Sequence, residues 1–169
     1  MRYGGTRFHI VLRGIGYSVV LFIYFILQDS VFSNLDIFRI KPLLMPVCCA
    51  AIALSEGMER GGAFGIAAGV LCDVSMGNPP IGFTVLLTLL GLGIGWLSDS
   101  LIGRNFITLL LCTLASLLVC AFFQILNLWM FKDVPLSALL RTVAAQTAFS
   151  LLFAVPLAGM VHRSRARGA

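Results

Sequence analysis

Charge is what this chain has least of. Of its 169 residues only 11% are Asp, Glu, Lys or Arg, with seven acids and two histidines in all. A soluble domain carries roughly a quarter of its residues as charges, so a water-exposed globular surface is excluded. Chemistry is equally short of material. His9 and His162 stand beside arginines near the two ends, and no Ser-His-Asp set, H-E-x-x-H or phosphate-binding glycine loop occurs. The expectation is a protein that is not an enzyme.

Cys48, Cys49, Cys72, Cys112 and Cys120 form no C-x-x-C pair and have no His or acid at ligand spacing. They read as small apolar residues, with no metal and no cofactor expected. A cleavable signal peptide is likewise not expected. Arginines precede the apolar run Gly14 to Leu27, but no small-residue cleavage site follows at Gln28-Asp29, so the first helix is expected to stay.

What is abundant is apolar residues, 59% of the chain, with a mean hydropathy of +1.00. This is the balance of an all-α integral membrane protein, long enough for about six spans of roughly 20 residues. The expected spans cover residues 12–32, 42–57, 61–77, 81–98, 106–131 and 138–161 of a single domain, 1–169. Pro42 opens the second span, where its missing N–H costs nothing. That span is short for a bilayer, since sixteen residues rise only about 24 Å. Six spans put both termini on one side. Arg2, Arg7, Arg13, Arg60, Arg104, Arg163, Arg165 and Arg167 fall there, against Arg39, Lys41, Lys132 and Arg141 opposite, so both termini are expected in the cytoplasm. Nucleic acid is not an expected partner of such sparse charge, whereas membrane lipid is.

The third span carries the most distinctive run, with Gly61, Gly65, Gly69, Asp73 and Gly77 at a strict spacing of four. In water so many glycines would weaken a helix by about 1 kcal/mol each. In a bilayer the backbone bonds to itself, and small residues every four positions let a second helix approach closely. That second helix is either another span of this chain or the single span of a partner. The fourth span adds Gly91, Gly93 and Gly95, at a different spacing, so no inverted repeat is assigned. Asp73 is the intramembrane carboxylate and hence the leading site residue, the other reading being exposure at the interface. Gln28, Arg141 and Gln146 are candidates for further buried polar contacts; Asp73 and Arg141 fall at similar depth and could pair, the other reading being that Arg141 reaches the headgroups. Gln124 joins the glutamines as an interhelical hydrogen-bond candidate.

Leu27-Gln28 closing the first span, Lys41-Pro42-Leu43-Leu44 opening the second, and Gly61-x3-Gly65-x3-Gly69-x3-Asp73 followed by Gly77 and Ile81-Gly82 resemble the rod shape-determining protein MreD family of bacteria. The likeness runs the length of the chain and is carried mainly by residues 61–82. It departs after Pro42, where leucines stand in place of the family's frequent acid. The resemblance implies a non-enzymatic inner-membrane subunit of the cell-elongation (rod) complex. Its partners would be MreC and, indirectly, MreB, RodA and a class B penicillin-binding transpeptidase of lateral peptidoglycan synthesis. It also implies a fold similar to the substrate-binding subunits of energy-coupling-factor transporters. The alternative reading is therefore a membrane subunit for uptake of a small, vitamin-type molecule.

Overall fold

A computed structural model describes residues 4–31, 43–76, 82–100, 106–132, 136–157 and 159. Among them every regular element is helical. The helices are α1 (Gly4–Ile26), prolonged by a π-helical turn (Leu27–Val31), α2 (Leu44–Glu56), α3 (Met58–Met76), α4 (Gly82–Ser100), α5 (Phe106–Lys132) and α6 (Leu136–Leu152). Four stretches are long and apolar enough to cross a membrane: Leu12–Asp29, Gly82–Asp99, Phe106–Leu126 and Leu140–Leu157. The other two helices differ for separate reasons. α2 has 13 residues, about 20 Å of rise against a hydrocarbon core of about 30 Å. α3 is long enough but carries Glu59, Arg60 and Asp73.

α2 is the centre of the molecule. All five other helices touch it, and every residue from Leu43 to Ser55 is buried. Its sequence explains this. Cys48, Cys49, Ala50, Ala51 and Ala53 are small enough for neighbouring backbones to come close on every side, and Leu44, Ile52 and Leu54 fill the space between. Such a helix has no stripe pattern, because no face meets solvent.

A buried helix start must have its orphan N–H groups satisfied by protein, and at α2 the account closes. Leu43 N donates to Ser150 Oγ of α6 at 3.0 Å. Leu44 N and Met45 N both donate to Gln28 Oε1, at 2.9 and 3.1 Å. Next comes Pro46, buried in the first turn, which has no N–H to satisfy. The expected first-turn role of Pro42 lies outside the described residues; Pro46 has that role here. Gln28 reaches both donors from the π-helical turn that ends α1, while the adjacent Asp29 accepts from Ser75 Oγ of α3 at 2.6 Å. The end of α1 is thereby fastened to two helices.

At its other end α2 stops at Gly57, whose φ of 86° lies in the left-handed region that glycine tolerates. α3 therefore starts at Met58, earlier than the expected 61, and runs back beside α2. α6 breaks at Phe153, four residues before Leu157 and just ahead of Pro156, whose ring and missing N–H disturb the preceding turn. Tyr24 Oη of α1 donates to the Phe153 carbonyl there at 3.0 Å.

Candidate functional site

The glycine face of α3 is filled by α4 of the same chain. A Cβ placed on Gly61 would lie 2.6 Å from the Gly91 carbonyl oxygen, and one on Gly65 2.6 Å from that of Leu87. On Gly69 it would run into the Thr84 backbone, with the Phe83 carbonyl oxygen at 2.9 Å. These are backbone contacts, which no rotamer change relieves. Gly77 lies outside the described residues.

Asp73 is buried, at 8% exposure. Its carboxylate accepts from Phe83 N and Thr84 N, both at 3.0 Å, and from Thr84 Oγ1 at 2.6 Å. Phe83 and Thr84 are in the first turn of α4, so Asp73 caps a neighbouring helix. A carboxylate near the C-terminal end of its own helix is disfavoured by that helix's dipole. Here the positive end of α4 reverses the balance, and the charge-assisted bonds replace the water that burial excludes.

The same arrangement recurs in the opposite direction. Asp99, near the end of α4, accepts from Met58 N in the first turn of α3 at 3.1 Å. A Cβ on Gly95 would lie 2.5 Å from Met58 Cα, just as one on Gly69 would strike Thr84. Gly61 against Gly91 corresponds to Leu87 against Gly65. Exchanging the two helices thus turns each contact into another contact of the set, so the hairpin has an approximate internal two-fold axis. Its basis in sequence is a repeated Gly-x3-Gly-x3-Asp: Gly65, Gly69, Asp73 and Gly91, Gly95, Asp99. The reading that spans three and four share no repeat is corrected here. Gly93 disguised it, for it is exposed and a Cβ there would meet nothing within 4 Å.

The remaining predicted residues divide. Gln28 and Gln146 are buried, at 6% and 5% exposure. Gln28 serves the start of α2, whereas Gln146 Nε2 and Gln124 Oε1 are buried atoms with no hydrogen-bond partner. Arg141 is exposed, which corrects its assignment as a buried polar contact. The buried stripe of α6 is Gln146 and Ser150, continued past the break by Ala154 and Leu157, and Arg141, five residues before Gln146, points about 140° away from it. The candidate Asp73–Arg141 pair gives way to the cap on α4, which engages both Asp73 oxygens.

A second polar centre escaped the sequence reading. Glu56, the last residue of α2, keeps a side-chain exposure of only 7% and pairs with Arg13 of α1 at 3.8 Å and with Arg60 of α3. Tyr17 Oη donates to its Oε1 at 2.9 Å. The signal that could have found it is Glu56 and Arg60 at i,i+4, the spacing of a helix-surface ion pair carried across the Gly57 break. Among the described residues no group of three or more His, Cys, Asp or Glu is placed to hold a metal ion. What the site offers chemically is close helix packing and N-terminal capping. No protein-family model, no curated protein and no solved structure matches this chain.

Proposed function

We propose that the chain is a non-enzymatic, six-span subunit of the bacterial cell-elongation complex, with both termini in the cytoplasm. In this role it binds MreC in the inner membrane and helps to position lateral peptidoglycan synthesis, with MreB, RodA and a class B penicillin-binding transpeptidase reached through MreC. The observation that carries this reading is the resemblance through residues 61–82. Within that stretch Gly65, Gly69 and Asp73 form a framework that fixes the α3–α4 hairpin. The framework is occupied by this chain's own helix. A partner span would therefore pack on the outward surface of a rigid hairpin, where Ala63, Ile66, Ala67, Val70 and Val74 are exposed on α3. An α2 buried from Leu44 to Ser55, with five helices around it, is in keeping with a scaffold whose surface, and not its interior, is functional.

The test is copurification of the tagged chain from bacterial membranes. Recovery of a single-span protein with a periplasmic coiled coil, and rounding of rod-shaped cells on depletion, is the expected result. Recovery of an ATPase pair instead, with cell shape unchanged, would overturn this reading in favour of small-molecule uptake.

A further inference from the structure

Among the described residues two amide atoms are buried without partners: the acceptor Gln124 Oε1 on α5 and the donor Gln146 Nε2 on α6. Buried polar atoms are nearly always satisfied, and leaving one unpaired is costly. Both sit in one part of the molecule. Gln124 is eight residues before the end of α5 at Lys132, and Gln146 ten after the start of α6 at Leu136. On helices that leave and return through the same short connection they are level to within about 3 Å. α5 and α6 pack against each other. One turn beyond Gln146 on its buried stripe, Ser150 accepts from Leu43 N, so Gln146 lies one helical turn from the contact with the start of α2. Gln28 accepts from Leu44 N and Met45 N at the same helix start.

We propose that Gln124 and Gln146 form a binding site for a neutral hydroxyl oxygen at the start of α2. The two orphaned atoms are complementary, yet they are not bonded to each other. What satisfies both is a group that accepts from Gln146 Nε2 and donates to Gln124 Oε1. A hydroxyl does both with one oxygen. A carboxylate could accept but has no proton for Gln124, an ammonium could only donate, and a phosphate, which can do both, would bring a charge that, among the described residues, no cation near the two amides offsets. The hydroxyl has two sources, a buried water or the alcohol of a small solute, and either matches the two glutamines in the same way.

The chain has three glutamines, Gln28, Gln124 and Gln146, so labelling glutamine with nitrogen-15 in the full protein in lipid nanodiscs yields three side-chain amides. Gln124→Leu and Gln146→Leu assign them. Rapid magnetisation transfer from water to the Gln146 amide identifies water as the occupant. A saturable shift of that amide on adding glycerol identifies a solute alcohol. In either case the response at Gln146 is lost in Gln124→Leu. A direct contact between the Gln124 and Gln146 amides, or an absence of both responses in the wild-type protein, overturns the proposal. Where Gln146→Leu fails to fold, Gln146→Glu, which keeps the side chain's shape and removes its amide signal, assigns that amide, so the wild-type spectra still decide the matter.

Discussion

The two hairpins α3–α4 and α5–α6 are each a pair of consecutive helices but are held in opposite ways. In α3–α4 the backbones touch through Gly61, Gly65, Gly69, Gly91 and Gly95, and each helix caps the start of the other with an aspartate. In α5–α6 neither helix contains a glycine, the outer surface of α5 is a broad apolar face of Leu111, Leu118, Val119 and Phe122, and two buried amide atoms lack partners among the described residues. Lipid is as apolar as leucine, so large side chains gain little by leaving it for another helix. Close backbone packing gains dispersion that lipid does not match, and capping supplies bonds that lipid cannot. The first hairpin should therefore be the rigid unit and the second the adaptable one.

The largest effect should follow from a single methyl group on the close face. Gly69→Ala places a Cβ against the Thr84 backbone, which has no rotamer to yield. A loss of about 3 kcal/mol or more is expected. Gly93→Ala, in the same hairpin but with open space around it, should be neutral or stabilising by up to about 1 kcal/mol. Thermal unfolding in detergent, followed by the fraction remaining monodisperse, separates the two. Equal behaviour of both variants would mean that the close approach does not hold the hairpin.

Next come the caps, which the two-fold axis makes formally alike but burial makes unequal. Asp73→Ala strands two backbone N–H groups and the Thr84 hydroxyl at a buried position, for an expected loss of about 3 kcal/mol. Asp99 is exposed at the hairpin's other end, where water can replace it. Asp99→Ala should cost about 1 kcal/mol, the ordinary value of an N-cap. If Asp99→Ala proved the more damaging, the unequal burial of the two caps would not be what sets their worth.

The helices were legible because hydropathy and turn residues are local signals. The expected 106–131 became Phe106–Lys132, and 81–98 became Gly82–Ser100. The glycine spacing likewise announced a close contact, but not its occupant. Which helix fills a small-residue face depends on what lies opposite, and Gly93 between Gly91 and Gly95 hid the matching i,i+4 pair. Nor could spacing reveal Asp73 as a cap, because the donors it serves, Phe83 and Thr84, belong to the next helix. Gln28 and Ser150 are of the same kind. They converge on Leu43, Leu44 and Met45 from opposite ends of the sequence, a juxtaposition that only the tertiary fold creates.

The smallest effect is expected on the adaptable hairpin, at Arg141. Two charges at similar depth invite the idea of a pair, and a paired buried charge leaves its partner stranded when one is removed. The carboxylate of Asp73 instead serves the start of α4, and Arg141 is exposed on the far side of α6 from its buried stripe. Arg141→Gln should then change stability by no more than about 0.5 kcal/mol. Asp73→Asn should be clearly destabilising, since the amide it introduces keeps one acceptor oxygen and turns two donor hydrogens toward other donors. In the double variant the losses should add to within about 0.5 kcal/mol, as they do for sites that share no partner. A double variant markedly more stable than that sum would couple the two residues and bring α6 into the polar framework of the first hairpin, removing the distinction between the rigid unit and the adaptable one.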